Sequence, residues 1–222
     1  MECLRQILDL VFGASGEFFA ALVGAGFGAY AAYFFQQEHE RKKERESRIS
    51  ALRMAQGAIG SQWEAMANIR KLCDENGFRK PGIVNLRRVV QAYSFVEVDM
   101  VSLSFLFEGE HAHVVFEIQR AQGAVKTVMQ GVKIREDLVV KLTGELQATH
   151  IDAEQNTGKA TGGNPMEILN LSDLTKSLCK SVDDACSQAE AGFSKLRSTG
   201  KQLFPGENFL EMRVDGVATK KS

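Results

Sequence analysis

Histidine and cysteine are the side chains whose spacing in this sequence bears most directly on chemistry. His111 and His113 lie two residues apart, so on a helix they point to different faces and cannot bind one metal ion together. On a strand they would share a face, which leaves a metal site open as the lesser alternative. Four cysteines occur without a CxxC pair, a pattern that predicts neither a zinc site nor a disulfide framework: Cys3, Cys73, Cys179 and Cys186. Cys179 and Cys186 share a helix face, and we expect both to be buried as small apolar side chains.

The segment "AEQNTGKA", residues 153–160, is superficially similar to a phosphate-binding loop. That loop requires a glycine where Ala153 stands and a serine or threonine where Ala160 stands. The sequence also contains no HExxH or GxSxG signature, and no pair of carboxylates stands on an apolar face. We therefore predict a protein that is not an enzyme, with no catalytic residue, no metal site and no cofactor.

The composition is that of a globular, largely helical protein. The 222 residues carry a formal net charge of −1, so we expect no direct nucleic-acid binding, because phosphate contacts need a basic surface. Only three prolines occur, at Pro81, Pro165 and Pro205, and long proline-free stretches suit long helices. The predicted fold class is all-α.

An uncharged stretch, "FFAALVGAGFGAYAAYFF", occupies positions Phe18–Phe35. Its eighteen residues would extend about 27 Å as a helix, close to the roughly 30 Å hydrocarbon thickness of a bilayer. Aromatic residues stand at both ends, as in the interfacial belts of membrane spans. We predict a single transmembrane helix over residues 17–37. A cleaved signal peptide is the main alternative, but it would carry positive charge before the apolar stretch, where only Arg5 stands.

Basic residues follow the apolar stretch in "QQEHERKKERESR". The positive-inside rule places this side in the cytoplasm, so we predict an inner-membrane protein with its N-terminus outside and its C-terminus cytoplasmic. The candidates for contact with anionic lipid headgroups are Arg41, Lys42, Lys43 and Arg45. Interleaved glutamates weaken that attraction, and a topology signal on a solvated helix face is the alternative.

Small residues recur every four positions within the apolar stretch: Ala20, Gly24, Gly28 and Ala32. In lipid, helices associate through close backbone approach, which a stripe of small residues permits. We predict that the span self-associates along this stripe and that the protein is a homo-oligomer. The alternative is an alanine-rich anchor without such a role.

Within residues 1–16, the apolar positions recur at helical spacing up to Phe12. Gly13, Ser15 and Gly16 then interrupt the pattern. This segment predicts a short amphipathic helix at the outer membrane surface, too short to be a second span.

Residues 38–204 predict a cytoplasmic antiparallel four-helix bundle. Its first helix continues the span and ends near Asn76 and Gly77, which suit a helix C-terminus. The second is predicted over Ile83–Phe107, although the alternation in "VSLSF" leaves a strand open there. The third holds a seam that steps by four and three residues from Val114 to Leu146 and is broken only by Arg135.

A polar loop is predicted over Ile151–Pro165, and the fourth helix from about Met166. The apolar stripe of this helix runs from Leu171 to Leu203. Residues 205–222 form a tail whose candidate docking patch consists of Phe209, Leu210 and Met212.

The order of these parts resembles the small membrane effectors of bacterial anti-phage systems, such as those that accompany retrons. The resemblance is carried by "FFAALVGAGFGAYAAYFF", followed by "ERKKER" and a helical bundle, and it covers the chain as an arrangement of parts only. It implies an antiviral, toxin-like effector that causes growth arrest or death on activation. It also implies a nucleoprotein partner encoded nearby.

The leading hypothesis is thus a partner-regulated membrane effector that acts by self-association of its span. Its expected partners are membrane lipids, further copies of the chain and a cytosolic protein or nucleoprotein. One alternative is a scaffold that tethers a cytosolic protein to the membrane through a groove of the bundle. The other is a signalling module, against which the short N-terminal segment counts because it is too small for a sensor domain.

Overall fold

A computed structural model describes residues 2–79, 86–89, 96–152, 157–162 and 164–212; the side chains of residues 2–20, 22 and 146–162 lie outside the description. The elements in chain order are helix α1 (Glu2–Glu75), a 3₁₀ helix (Ser104–Glu108), helix α2 (Ala112–Glu145), strands β1 (Leu146–Asp152) and β2 (Thr157–Gly162), and helix α3 (Pro165–Leu203). By its internal contacts the chain divides into two compact units, Met1–Arg48 and Ile49–Ser222.

Helix α1 is continuous from the apolar stretch to Glu75, as the sequence predicted. Its backbone is also helical through Gly13, Ser15 and Gly16, so no break follows residue 16, where the sequence predicted one. Glycine costs about 1 kcal/mol relative to alanine inside a helix, which is not enough to interrupt a long one. The predicted amphipathic contacts of residues 1–16 involve side chains outside the description.

The C-terminus of α1 confirms the predicted cap at Asn76 and Gly77. Gly77 has a φ of 66°, a conformation that glycine adopts without a steric penalty. The amide of Phe78 donates to the carbonyl of Cys73 and the amide of Asn76 to that of Leu72, both at 3.0 Å. The last carbonyls of the helix are thereby satisfied, and the side chain of Phe78 enters the core.

The core of the Ile49–Ser222 unit lies where α1, α2 and α3 pack together. The α2 seam predicted from the four-three spacing is buried throughout the part whose side chains are described: Val114, Ile118, Ala121, Val125, Val128, Val132, Arg135, Val139 and Leu142. The α3 stripe is buried from Leu171 to Leu196, except for the half-buried Leu174, while Leu203 lies at the surface. The predicted all-α class is confirmed for this core.

The fourth bundle helix, predicted over Ile83–Phe107, is not confirmed. Where this segment is described, it is irregular or forms turns, apart from the 3₁₀ helix Ser104–Glu108. The described residues therefore contain three long helices, and the strand considered at "VSLSF" is absent from them. Leu103 and Leu106 are nevertheless buried. The apolar residues of the segment thus reach the core from a turn and from the 3₁₀ helix rather than from the face of a long helix.

A buried arginine on α2 explains how an irregular segment packs against helices. Arg135 is fully buried, and its Nη1 donates to the carbonyl of Arg87 at 2.9 Å. Glu136 accepts the amide of Val89 at 2.8 Å and also pairs with Arg135 at 3.1 Å. Backbone groups that a helix would satisfy internally are here satisfied by side chains of α2.

The Arg135 guanidinium also reaches α3 and the residues after α1. Its Nε donates to the hydroxyl of Thr175 at 3.1 Å, and Thr175 donates in turn to the carbonyl of Leu171 at 2.6 Å. The guanidinium carbon lies 4.3 Å from the ring centre of Phe78. Burial lowers the pKa of Arg135, and the neighbouring Glu136 opposes that shift. Because an arginine stays charged in proteins, Arg135 is a buried charge whose partners come from four parts of the chain.

The polar loop predicted over Ile151–Pro165 is wrong in part, because strands β1 and β2 form an antiparallel hairpin. A bulge between Ala148 and His150 interrupts the regular pairing. Threonine and isoleucine within the two strands suit an extended backbone, and pairing satisfies its amides and carbonyls. Residues 153–156, which join the strands, lie outside the description.

Replacing Arg135 with methionine should lower the free energy of unfolding by about 3 kcal/mol, because Glu136 and the Arg87 carbonyl lose their partner inside the core. Urea denaturation followed by circular dichroism measures the loss. The control is Arg88→Ala, which removes only the exposed partner of Glu136 and should cost less than about 1 kcal/mol. Equal losses of stability from the two substitutions would contradict the conclusion that the buried contacts of Arg135 stabilise the unit more than the exposed Arg88 pair does.

Candidate functional site

In the Met1–Arg48 unit, α1 carries large apolar side chains on its surface. Every side chain from Val23 to Ser47 is exposed. The bulky apolar ones are more than half exposed: Val23, Phe27, Tyr30, Tyr33, Phe34 and Phe35. A contiguous group of this kind on a protein surface marks a place where another molecule binds. Residues 23–35, named here the aromatic segment, are therefore the first candidate functional surface.

The stripe of small residues predicted to mediate self-association has no neighbouring group packed against it where it is described. A Cβ atom at Gly24 or Gly28 would meet nothing within 4 Å beyond the backbone of its own helix, and Ala32 is exposed. Ala20, the fourth member, lies among the residues whose side chains are outside the description. Gly26 is equally open but lies two residues from Gly24 and Gly28, so it faces another side of the helix.

All four candidate headgroup residues lie on the exposed surface of α1: Arg41, Lys42, Lys43 and Arg45. Ion pairs at i,i+4 spacing join Lys42 to Glu38 at 3.7 Å and Arg48 to Glu44. Exposed pairs of this type contribute little to stability. Five basic residues stand among four glutamates from Glu38 to Arg48, so the excess of positive charge in this stretch is small.

Across the part of the chain that the structure describes, no helix is both long enough and apolar enough to cross a membrane. The predicted span, residues 17–37, includes residues whose side chains lie outside that part: Glu17, Phe18, Phe19, Ala20 and Leu22. The span therefore stays a prediction.

Two cysteines that no sequence pattern paired lie together in the core. Cys73 on α1 and Cys179 on α3 are buried in one apolar cluster. The interaction between the two thiols, with burial, raises the pKa of Cys73, and the same interaction lowers the pKa of Cys179. Cys186 is buried as predicted, and burial raises its pKa. Cys73 and Cys186 are thus poor nucleophiles that fill the core as small apolar groups.

The remaining candidates for chemistry lie apart from one another. Within the described ranges, no group of three or more histidine, cysteine or acidic residues is placed to hold a metal ion. The rings of His111 and His113 have centres 6.4 Å apart, and Nδ1 of His113 lies 3.1 Å from the carbonyl of Glu110. Lys159, from the segment that is superficially similar to a phosphate loop, lies in strand β2.

The candidate docking patch of the tail contacts the core of the Ile49–Ser222 unit. Phe209 is buried and Met212 is half-buried against the core, while Leu210 is exposed. Phe209 lies between Arg53 of α1 and Gly200 of α3. No local pattern indicated these last two residues, because they meet Phe209 only once the helices have packed.

Comparison with known proteins gives no family for this chain. No protein-family model matches it, and neither a curated protein nor a solved structure is similar to it. The resemblance to anti-phage effectors therefore stays a prediction.

Proposed function

We propose that this chain is a non-enzymatic, single-pass inner-membrane protein whose helix α1 crosses the bilayer over residues 17–37. The observation that carries the proposal is the exposed aromatic segment, residues 23–35, on a helix that continues into a stretch with basic residues. A helix satisfies its own backbone amides and carbonyls, which is the condition for crossing lipid.

Exposure of the aromatic segment to water is unfavourable, so another apolar environment is expected around it. Burying one large apolar side chain contributes about 1.5–3 kcal/mol, and six such side chains are more than half exposed in this segment. Lipid acyl chains would cover them without requiring a complementary protein surface. Tyr30 and Tyr33 are also amphipathic, which suits the boundary between acyl chains and headgroups.

Most bulky residues of the span lie on a different side of α1 from Gly28 and Ala32. At about 100° per residue, Val23, Tyr30 and Phe34 share one side and lie opposite these two small residues, whereas Phe35 at the end of the segment lies on the glycine side. This partial division supports an arrangement in which most of the rings face lipid and the small residues face a second copy of the helix. The open space at Gly24 and Gly28 supports it further, because no described side chain of the same chain fills that face.

The order of charges supports a cytoplasmic C-terminus. Basic side chains follow the aromatic segment and extend from the exposed face of α1, where they reach the headgroup region. Arg41, Lys42, Lys43 and Arg45 would attract anionic headgroups, at about 1 kcal/mol per basic residue near the surface. The neighbouring glutamates reduce this attraction, so the basic residues act chiefly on orientation.

For a membrane-anchored protein with a cytoplasmic C-terminus, the best-supported function is a partner-regulated effector that perturbs the membrane when its spans associate. Support comes from the association stripe and from the order of parts, which resembles toxin-like anti-phage effectors. The regulating partner would be a cytosolic protein or nucleoprotein that binds the helical unit. A membrane-tethered scaffold or signalling module shares the same anchor but does not require spans that associate.

Gly24→Leu and Gly28→Leu should each weaken self-association about ten-fold, or about 1.4 kcal/mol, because leucine keeps the two backbones apart. Leucine is more apolar than glycine, so membrane insertion should be retained. In the effector hypothesis, both substitutions should also abolish the toxicity of the overproduced protein. Cross-linking in isolated membranes and a membrane-potential dye in living cells measure the two effects.

The matched control is Gly26→Leu, which adds the same apolar side chain on the side of α1 that carries Tyr30 and Tyr33. It should leave cross-linking and toxicity unchanged. A loss of both in all three variants would point to a general effect of leucine rather than to the stripe. If the wild type neither cross-links nor depolarises cells when its partner is triggered, the effector hypothesis is wrong and the stripe is part of a simple anchor.

Fusion of reporters to the C-terminus tests the proposed orientation. The basic residues that follow the aromatic segment should hold the C-terminus in the cytoplasm, so a fluorescent protein fusion should be bright and an alkaline phosphatase fusion inactive. The opposite pair of results would reverse the orientation. A fluorescent fusion that is recovered in the soluble fraction of lysed cells would exclude the span itself.

A further inference from the structure

Residues 207–212, named here the docked segment, lie in a groove of the Ile49–Ser222 unit. The ring of Phe209 fills a notch left by Gly200 on α3, where an added Cβ would lie 2.7 Å from the ring. Phe209 is 6% exposed and belongs to the same core cluster as Leu52 and Leu196. A glycine at this position of the helix therefore makes room for one aromatic side chain.

Two arginines flank the notch and bind the acidic residues on either side of Phe209. Arg53 on α1 donates from Nη2 to Glu207 at 3.1 Å and from Nε to the carbonyl of Asn208 at 3.2 Å. Its guanidinium carbon also lies 5.9 Å from the centre of the Phe209 ring. On the other side, Arg197 pairs with Glu211. The groove thus matches a short pattern of acid, aromatic residue and acid.

Gln56 at the base of the groove binds the backbone of the docked segment. Its Oε1 accepts the amide of Leu210 at 3.1 Å. Gln56 is fully buried, and in the described part of the structure its Nε2 has no hydrogen-bond partner. In the same described part, Nε of Arg197 is also buried without a hydrogen-bond partner. A buried donor without a partner is unfavourable, so the docked segment leaves two polar groups of the groove unused.

We propose that this tail groove, formed by Arg53, Gln56, Arg197 and Gly200, is an exchangeable docking site for a short acidic-aromatic segment of a partner protein. The docked segment occupies it when the partner is absent. A partner segment that presents the same acid–aromatic–acid pattern and also a carbonyl to Gln56 Nε2 satisfies the groove more completely than the docked segment does. This proposal goes beyond the membrane function and does not depend on it.

The contacts that hold the docked segment suit exchange. Each of its ion pairs has one exposed member, Arg53 at 44% and Glu211 at 71% side-chain exposure, and this access to water limits what the pairs contribute to stability. Phe209 is the one large side chain that the segment buries deeply, as Leu210 is exposed. What favours the docked segment is its covalent attachment to α3, which gives it an effective concentration on the order of millimolar. A partner overcomes that advantage through additional contacts.

Peptide binding to the full chain in detergent micelles tests the proposal. The probe is a fluorescent peptide with the sequence of residues 205–212, and its anisotropy is measured. The wild type should bind it weakly, because the docked segment competes. Phe209→Ala weakens that competitor, and the variant should bind the peptide at least about ten-fold more tightly. A peptide with alanine in place of its phenylalanine should not bind to either chain.

Gly200→Leu provides the second variant, because leucine fills the notch while favouring the α3 helix over glycine. Combined with Phe209→Ala, it should abolish peptide binding. Alone, it should expel the docked segment and increase the rate of chymotrypsin cleavage after Phe209 about ten-fold, which remains measurable if Phe209→Ala does not fold. The proposal is overturned if folded Phe209→Ala binds the peptide no better than the wild type. It is also overturned if Gly200→Leu leaves the cleavage rate unchanged.

Discussion

The buried charge of Arg135 is the constraint on which the arrangement of the Ile49–Ser222 unit depends. A guanidinium without water must have its N–H groups paired, because an unpaired buried charge costs more than a small domain can tolerate. Its partners are Glu136 beside it on α2, Thr175 on α3 and the carbonyl of Arg87. Phe78 lies against its face. One side chain therefore fixes two helices, the residues that follow α1 and an irregular segment in a single arrangement.

The contacts of Arg135 also explain which elements of the fold could be predicted from the sequence and which could not. The four-three spacing on α2 indicated a buried seam because every turn of a helix returns the same face to the core, and Asn76–Gly77 indicated the end of α1 for equally local reasons. The segment Ile83–Phe107 has apolar residues at similar spacing but forms no long helix where it is described. Its backbone partners, Arg135 and Glu136, lie nearly fifty residues further along the chain, at separations of 48 and 47. No window of local sequence contains that information.

The candidate surfaces also differ in whether local sequence was enough to predict them. The aromatic segment and its glycines were evident because they depend on composition and helical spacing alone. The tail groove was not, since Arg53 and Gly200 lie on helices that meet only in the folded unit. Phe209 stood out as a large apolar residue in a polar tail, but its neighbours did not. Pairing of Cys73 with Cys179 was hidden for the same reason, although each lay on an apolar stripe.

Glycine has contrasting roles along the helices, and the contrast bears on the aromatic segment. At Gly131 an added Cβ would lie 3.1 Å from Leu178, and at Gly200 the ring of Phe209 occupies the space, so these glycines let another group of the same chain approach the backbone. Gly123 is open, but it is followed on α2 by the exposed polar residues Lys126 and Thr127, and water covers that face.

Gly24 and Gly28 fit neither pattern. They are as open as Gly123, yet Phe27 lies one helical turn from Gly24 and Phe35 two turns from Gly28, and both rings are more than half exposed. Water is a poor cover for that surface, and the described residues of the chain do not supply one. The self-association proposed above would bring another molecule against these two glycines. Lipid acyl chains can bury the aromatic rings as well as a protein can. Only a second helix packs more closely where side chains are absent, because glycine lets two helix backbones approach each other.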